Sequence, residues 1–419
     1  IFSSALNVAF GFATILAVVG YTLSSGLMTI AAPGLSGNDH SLAVFLFRFM
    51  LPVLVFHCLL AVMKGTLNSL DHYAAPEYSG ILFNVVTIVC ALMLAPTYGI
   101  VSMAVGVVAG SLVQVLIQLP TLNRYGIHYR LRAGVSHPAL NEMGGLALSA
   151  FVATAVVPVN AFVARALASN LEEGSISALA YAFRIFVLPI GVLAVPIYTV
   201  LLTELSAKNA EGKMTEFKKK ADAGMSLLLA TCLPATALLV ALAIPITRLL
   251  YERGHFGAED VRMTSEALMA YGVGIVGYGT SQVMVRLFTA TKDTGTPALV
   301  GIASVGINLV GCWLAMQVWG HVGIALVISA VSYINAAVLY FIFRTRYGPL
   351  DEGSLLKTVI THLTLATFLG LFLFELCNRF LDASRSPWDG QSLLVFGGII
   401  LSGTIAYLIA GWVFRVGEI

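Results

Sequence analysis

Charge is scarce in this sequence. Of its 419 residues, only 11% are Asp, Glu, Lys or Arg, whereas 58% are hydrophobic. A soluble domain carries about a quarter charged residues, so a chain this apolar is not expected to keep its surface in water. Apolar stretches of roughly 20 residues recur from end to end, and each can cross a ~30 Å hydrocarbon layer as a helix. Because the stretches are continuously apolar and do not alternate, they predict an all-α, polytopic membrane protein and not a barrel.

Motifs for catalysis and for metal binding are missing as well. The sequence has no GxxxxGK[ST] phosphate loop, no HExxH and no nucleophile elbow. Its five cysteines lie in apolar segments without paired spacing, and its eight histidines are scattered without metal-ligand spacing. We therefore predict a protein that is not an enzyme, does not hydrolyse ATP, and uses no metal, cofactor or nucleic acid.

Twelve membrane spans are predicted from the apolar stretches. The loops on one side of these spans, with the C-terminal end, hold fourteen of the 23 Lys and Arg residues, and the loops on the other side hold five. Cytoplasmic loops are enriched in Lys and Arg, so both chain ends are predicted to be cytoplasmic. The spans lie roughly at 5–31, 42–66, 78–96, 99–121, 142–169, 175–207, 221–250, 262–291, 297–318, 321–344, 355–378 and 392–414.

The chain repeats itself at a shift of 221 residues. Pro76 is matched by Pro297, and Gly99 is matched by Gly320. Spans 7 to 10 therefore repeat spans 1 to 4, whereas spans 5 and 6 have no upstream partner. This difference predicts about two further helices ahead of Ile1, so that each copy has six helices and both enter the membrane in the same sense.

The predicted plan is two pseudo-symmetric helical lobes followed by a terminal helix pair. Residues 1–126 form an N-lobe with four of its six helices, 127–141 a cytoplasmic linker, 142–348 a C-lobe of six helices, and 349–419 the terminal pair. Two homologous bundles in a membrane usually face each other across a transport path. The plan therefore favours a transporter.

Four arginines fall inside predicted spans, namely Arg48, Arg165, Arg184 and Arg286. A charge at the centre of a span costs at least ~2.5–3.5 kcal/mol. Arg184 lies about nine residues into span 6, or roughly 14 Å deep, so it either lines a cavity or is satisfied by a neighbouring carbonyl or Glu. For the other three, snorkelling toward water competes with cavity lining. Because the planar guanidinium can pair with two phosphate oxygens, the set suggests a phosphorylated, anionic substrate.

Several stretches resemble the MurJ (MviN-type) lipid II flippases of bacteria. The most specific are Ala32–Leu35, Gly174–Arg184, Leu250–Phe256 and Lys292–Pro297. The resemblance covers essentially the whole chain and extends to the multidrug/oligosaccharidyl-lipid/polysaccharide exporter superfamily. Such proteins have fourteen helices in two six-helix lobes plus a terminal pair, which agrees with the plan above.

The resemblance implies a substrate, a path and a location. The substrate would be undecaprenyl-pyrophosphate-linked disaccharide-pentapeptide (lipid II), moved across the bacterial cytoplasmic membrane by alternating access. Its pyrophosphate and sugars would enter a cationic cavity between the lobes, and its tail would lie along spans 11 and 12. Arg48 and Arg184 match basic positions of the family, and Asp222 matches an acidic one. The predicted substrate-binding residues are Arg48, Arg184, Asp222, Ser226, Arg286 and Asn160.

The sequence also departs from the family. Ser226 occupies a position where relatives often carry Arg, and Phe183 replaces an Asp that commonly precedes the Arg184 position. Ala164 and Cys312 fall where some relatives hold sodium with carboxylates, so sodium coupling is not expected.

Several functions remain open on the sequence alone. The alternatives are an exporter of another polyprenyl-linked oligosaccharide, a cation-coupled drug antiporter, and a non-transporting scaffold of the cell-wall machinery. The partners expected for the first interpretation are lipid II, membrane lipids and cell-wall synthesis proteins.

Overall fold

A computed structural model describes residues 2–129, 158–380 and 387–413. Within these ranges the chain is helical and contains no β-strand, which confirms the predicted all-α fold. The helices are α1 (Phe2–Thr22), α2 (Ser24–Ala31), α3 (Gly37–Met50), α4 (Pro52–Asn68), α5 (Ala74–Tyr98), α6 (Val101–Arg124), α7 (158–168), α8 (Ser175–Pro189), α9 (Val195–Ala210), α10 (Met214–Ala241), α11 (Ala243–Tyr251), α12 (Ala258–Ala290), α13 (Gly295–Tyr347), α14 (Glu352–Phe380) and α15 (Gly390–Val413).

Helices cover the predicted membrane spans that fall within the described residues. In the described ranges, nine helical segments are long and apolar enough to cross a membrane, and α13 counts once although it contains two predicted spans. The helix α12 is not among the nine, because glycine, serine, threonine and tyrosine lower its hydropathy. Predicted span 5, at 142–169, and the predicted linker, at 127–141, lie largely outside the described residues.

Contacts divide the chain into two units, residues 1–155 and 156–419. Unit 1 holds α1 to α6 around a small core that includes Met63 and Leu67. Unit 2 holds α7 to α15 around a larger core, with α12 at its centre: 20 of the 33 residues of α12 are buried. In both units, large apolar side chains cover the exposed helix faces, as expected for surfaces that lie against lipid. The finer domain boundaries given above remain predictions.

The internal repeat is visible in the backbone. Asp71 and Lys292, which lie 221 residues apart, are the non-glycine residues of the described ranges that have positive φ, at 56° and 64°. Gly99 and Gly320 have nearly the same dihedral angles, with φ of 53° and 54° and ψ of −131° and −134°. Only glycine adopts such angles without strain. The predicted shift of 221 residues therefore relates equivalent turns of the two units.

The two copies also differ in a way that the sequence explains. In unit 1, Pro52 begins a new helix after α3, because proline cannot donate the hydrogen bond that would continue the first helix. The equivalent position in unit 2 is Val273, and α12 runs through it without interruption. In both copies, a single non-helical residue interrupts the first helix and a short helix follows it. That residue is Leu23 in unit 1 and Leu242 in unit 2.

Each unit brings its paired helices together at a glycine. In unit 1, a β carbon at Gly106 would lie 2.9 Å from the carbonyl oxygen of Thr87 and 3.2 Å from the β carbon of Cys90. In unit 2, the equivalent of Cys90 is Gly311, where a β carbon would lie 2.8 Å from Val327, the equivalent of Gly106. The helices thus cross closely at equivalent points of the two units, with the glycine after the turn in unit 1 and before the turn in unit 2. Small residues are common at such crossings, because lipid supplies no hydrophobic force between helices.

Glycines of α12 serve a similar purpose. A β carbon at Gly277 would lie 2.8 Å from the ring of Tyr333 on α13. The hydroxyl of Tyr333 donates to the carbonyl of Val273 at 2.7 Å, and the hydroxyl of Ser329 donates to the carbonyl of Ala270 at 2.8 Å. Small residues on α12 therefore allow polar side chains of α13 to reach its backbone.

A buried histidine joins the terminal helix pair to the rest of unit 2. The hydroxyl of Tyr407 on α15 donates to the carbonyl of Ala230 on α10 at 2.9 Å, so it accepts at 2.7 Å from Nδ1 of His362 on α14. His362 is fully buried. This chain of hydrogen bonds fixes three helices to one another within the apolar interior.

The close approach at Gly106 yields a prediction about stability. Gly106→Ala should lower the apparent melting temperature of the purified protein, because the added methyl group overpacks the contact with Thr87 at a cost of about 1–3 kcal/mol. Gly80→Ala on α5 is the matched control, since a β carbon there meets nothing within 4 Å. That control should be neutral or stabilising, because alanine favours helix over glycine. Equal melting temperatures for the two variants would contradict the proposed packing.

Candidate functional site

Arg48 lies near the end of α3 and is held by residues of α1 and α2. Its Nε donates to the hydroxyl of Ser24 at 2.7 Å, and that hydroxyl donates in turn to the carbonyl of Tyr21 at 2.8 Å. The guanidinium carbon lies 4.8 Å from the centre of the Tyr21 ring, at cation–π distance. Neither Nη group bonds to any residue that the structure describes. Arg48 is therefore oriented but keeps its terminal donors available.

A groove of about 580 Å³ opens in front of Arg48 within unit 1. Polar and aromatic side chains line it, and His40 on its wall lies 3.3 Å from the hydroxyl of Thr29. The lining residues are Tyr21, Ser25, His40, Ser41, Val44, Phe45, Arg48 and Phe49. A cavity of this size, with a cation and several hydroxyl groups, fits the polar part of an anionic ligand.

Arg184 is exposed on α8, and it makes no hydrogen bond or ion pair with any residue in the described ranges. Its charge acts on the hydroxyl of Tyr251, at the end of α11. One turn away, Tyr181 contacts the rings of Tyr251 and Phe256, with centroids 4.6 Å and 5.6 Å apart. The stretches 174–184 and 250–256 thus meet in space, with Arg184 at the edge of their aromatic contact.

Arg286 lies on α12, one turn before its cytoplasmic end in the predicted orientation. Its guanidinium stacks 5.1 Å from the centre of the Tyr198 ring on α9. Its Nε atom is buried and has no hydrogen-bond partner among the described residues. An arginine that simply snorkels would not have a buried Nε atom.

Asp222 contacts the backbone of the segment that leads into α14. Its Oδ1 accepts from the backbone N–H of Asp351 at 3.0 Å, and Asp351 accepts from the N–H of Ser354. This arrangement ties α10 to the start of the terminal helix pair. Its assignment to substrate binding remains a prediction, and the structure adds a positional function that the sequence had not indicated.

Asn160, on α7, forms part of a hydrogen-bonded series. Its Oδ1 accepts from Nδ2 of the buried Asn308 at 3.0 Å, and the Oδ1 of Asn308 accepts from the thiol of Cys312 at 3.4 Å. The same thiol lies 3.9 Å from the carbonyl of Ile324. Ser226 is buried on α10. Among the residues that the structure describes, no three His, Cys, Asp or Glu side chains are grouped so that they could hold a metal ion.

The predicted site residues are divided between the two units. Arg48 belongs to unit 1 and the other five to unit 2, where Arg184 and Arg286 lie at different levels and Asp222 faces a loop. Sequence reasoning missed the residues that position the arginines, namely Tyr21 and Ser24 for Arg48 and Tyr198 for Arg286. No local motif marks them, because aromatic and hydroxyl residues at helical spacing also occur in ordinary helix packing.

Comparisons with known proteins give the family. The family model described as lipid II flippase MurJ matches residues 1–384. The chain belongs to the MurJ family. It is 31% identical over 309 residues to the MurJ protein of Vibrio cholerae serotype O1, and 29% identical over 342 residues to that of Burkholderia cenocepacia. These matches cover 73% and 79% of the chain but only 59% and 66% of the two relatives.

Solved structures agree with this membership. A MurJ structure in an inward closed conformation superimposes with a TM-score of 0.83 at 25% identity, covering 99% of this chain and 83% of the other. An inward-facing multidrug transporter of the wider superfamily gives a TM-score of 0.68 at 14% identity, over 85% of this chain and 81% of the other. The second likeness concerns the fold alone. The predicted family is therefore confirmed, and with it a multi-pass membrane protein.

One stretch that resembles the MurJ family has a structural function. Oδ1 of Asp293 accepts from the backbone N–H of Thr296 at 3.0 Å, which satisfies a free donor at the start of α13. Oδ2 of Asp293 accepts from the Thr296 hydroxyl at 2.7 Å and from Nη1 of Arg346 at 2.6 Å. Because Arg346 lies in the last turn of α13, this carboxylate joins the two ends of a segment that turns back at Gly320. The hydrogen bonds from Thr296, followed by the charge of Arg346, lower the pKa of Asp293.

The lowered pKa of Asp293 predicts how stability depends on pH. A carboxyl whose pKa is lower in the folded state stabilises the fold above its unfolded pKa of about 3.9, and the contribution is lost as the pH falls through the folded value. Asp293→Asn should therefore melt below the wild type at pH 7, and the gap should narrow as the pH falls from 5 to 3.

The control for this experiment is Asp39→Asn, which changes an exposed aspartate in the first turn of α3. Thermal unfolding of both variants is measured across the same pH series. A gap between Asp293→Asn and the wild type that stays constant with pH would contradict the assigned contacts.

Proposed function

We propose that this protein is a lipid II flippase, which moves undecaprenyl-pyrophosphate-linked disaccharide-pentapeptide from the cytoplasmic to the outer leaflet by alternating access. Membership of the MurJ family over residues 1–384 supports the substrate class. The proposal includes a location in the bacterial cytoplasmic membrane with both chain ends in the cytoplasm, and contacts with cell-wall synthesis proteins.

The observation that carries the proposal is the state of Arg48. Its Nε and its ring contact fix the direction of the side chain, while its two terminal nitrogen atoms remain available at a groove of about 580 Å³. A guanidinium held in this way can form two parallel hydrogen bonds to phosphate oxygens without first breaking an internal ion pair. Such preorganisation lowers the cost of binding a pyrophosphate.

Arg184 supplies a second available guanidinium, in unit 2. It lies about 14 Å from the start of α8, if each residue rises ~1.5 Å. A positive charge at this depth is costly in lipid, so its retention without an acidic partner supports contact with an anionic substrate. Alternating access then needs no covalent chemistry by the protein, in keeping with a transporter that has no phosphate loop.

The hydrogen bonds around Asn308 support a transport cycle in which no sodium ion binds beside Asn308. A sodium ion would need oxygen ligands, as other hard cations do, and acidic groups that balance its charge. Here the oxygen of Asn308 already accepts from Cys312, and the oxygen of Asn160 accepts from Asn308. Binding a cation would require both hydrogen bonds to break, and the thiol would supply no negative charge.

The proposal predicts that Arg48 and Arg184 are needed in the cell. Arg48→Gln and Arg184→Gln, placed separately in the chromosomal gene, should each reduce flipping of lipid II by at least tenfold, because a charge-assisted hydrogen bond is worth roughly 1.5–3 kcal/mol. Flipping is measured as labelled lipid II that becomes accessible at the outer face of intact cells. Arg379→Gln is the control, since Arg379 is exposed and pairs with Glu375 at 2.7 Å.

Depletion of the whole protein separates the alternatives. Lysis with lipid II retained inside supports the proposal. Loss of a surface polysaccharide with normal cell shape would instead indicate another polyprenyl-linked oligosaccharide. Drug sensitivity alone would indicate an antiporter. Wild-type flipping in both arginine variants would show that these residues do not bind the substrate.

A further inference from the structure

Arg286 is a membrane-embedded charge without an acidic partner. No Asp or Glu of the described residues lies within ion-pairing distance of it, and its Nε makes no hydrogen bond there. Arginines on the exposed faces of unit 2 behave differently: Arg262, on the same helix, pairs with both Glu259 and Glu266. An unpaired guanidinium inside a span needs a compensating interaction.

The direction of the Arg286 side chain argues against simple snorkelling. Helical side chains point toward the N-terminus of their helix. In the predicted orientation α12 runs toward the cytoplasm, so the side chain of Arg286 points back into the membrane. It stacks on Tyr198, which is only 8% exposed, and Tyr278 lies two turns deeper on the same helix. The buried Nε of Arg286 is therefore placed on the membrane side of its own backbone.

Tyr198 and Tyr278 add unused hydrogen-bonding capacity at the same place. Neither hydroxyl bonds to a described residue, although other tyrosines of unit 2 do so, such as Tyr333 with the carbonyl of Val273. The guanidinium has donors only, and each phenolic hydroxyl can donate its proton to an approaching anion. Phosphate oxygens are the acceptors that such a set fits best.

Arg286, Tyr198 and Tyr278 lie at a different level of unit 2 from Arg184. Arg184 lies beside Phe183, whose ring contacts Tyr271 of α12 at 5.7 Å. From Tyr271 to Arg286 the helix rises about 22 Å, at ~1.5 Å per residue. In unit 2, the unpaired guanidinium groups of Arg184 and Arg286 thus lie at two different levels, with Arg286 near the cytoplasmic end of α12 in the predicted orientation.

We propose that Arg286, with Tyr198 and Tyr278, forms a second phosphate-binding site in unit 2, which takes the phosphate of a membrane lipid at the cytoplasmic end of α12. The phosphate belongs either to the lipid-linked substrate or to a bilayer phospholipid. In the first case the inference rests on the proposed function, and the site holds the pyrophosphate before it reaches the level of Arg184.

Lipid binding to the purified full-length protein tests the site. Native mass spectrometry gives dissociation constants for two probes, undecaprenyl pyrophosphate and phosphatidylglycerol. Arg286→Gln should raise the dissociation constant for at least one probe by about tenfold, and Arg286→Lys should restore part of the affinity because it keeps the charge. Tyr278→Phe should weaken binding less, by a few fold, and Arg262→Gln on the same helix should leave it unchanged.

The two probes identify the source of the phosphate. An effect confined to undecaprenyl pyrophosphate assigns the site to the substrate, and an effect on phosphatidylglycerol assigns it to bilayer lipid. Unchanged constants for both probes in Arg286→Gln and Tyr278→Phe would overturn the site. The affinity of Arg184→Gln for undecaprenyl pyrophosphate is measured in parallel. If Arg184→Gln loses affinity and Arg286→Gln does not, this inference alone is refuted. If Arg286→Gln loses affinity and Arg184→Gln does not, the proposed contribution of Arg184 is refuted.

Discussion

Hydrocarbon cannot form hydrogen bonds, and two groups of polar residues show the effect of this constraint. In the first group, polar side chains bond to other parts of the protein: Ser329 and Tyr333 bond to the backbone of α12, and His362 bonds through Tyr407 to α10. These groups hold helices together where lipid supplies no hydrophobic force. The second group consists of arginines whose donors remain free. A polar group left unsatisfied in this setting is costly, so the second group is where function is to be sought.

The two units keep the same backbone plan with different side chains. Turns at Asp71 and Lys292 have the same unusual backbone angle, yet one residue is acidic and the other basic. Where α5 crosses α6, Gly106 lies on the second helix, whereas at the equivalent crossing in α13 Gly311 lies before the turn at Gly320, and the short distance is retained. The repeat therefore conserves geometry and leaves the chemistry of each unit free to diverge. That freedom allows unit 1 to form the groove at Arg48 while unit 2 carries the unpaired Arg184 and Arg286.

The sequence predicted the repeat, the helical class and the arginines within the spans, because each depends on local composition or spacing. The break at Leu23 could not be predicted, since leucine favours helix and nothing nearby marks an end. The contact of Asp222 with Asp351 was equally hidden, because it joins residues 129 positions apart. The stretch 292–297 resembles the family in sequence, and nothing in that resemblance indicates that its aspartate caps a helix. Long-range partners of this kind are set by packing and not by sequence pattern.

In the described parts of the chain, a tyrosine ring and not an acidic side chain lies against Arg48 and Arg286. Arg48 stacks on Tyr21, and Arg286 stacks on Tyr198. Arginines at helix ends instead pair with carboxylates, as Arg379 does with Glu375 and Arg262 with Glu259 and Glu266.

The difference has a physical consequence. A carboxylate would neutralise the guanidinium and occupy the N–H groups that a phosphate needs, so binding would first have to break an ion pair. An aromatic ring stabilises the cation through its face and leaves the N–H groups free. Pairing with tyrosine thus keeps a positive charge tolerable within the membrane and still available to an anionic ligand.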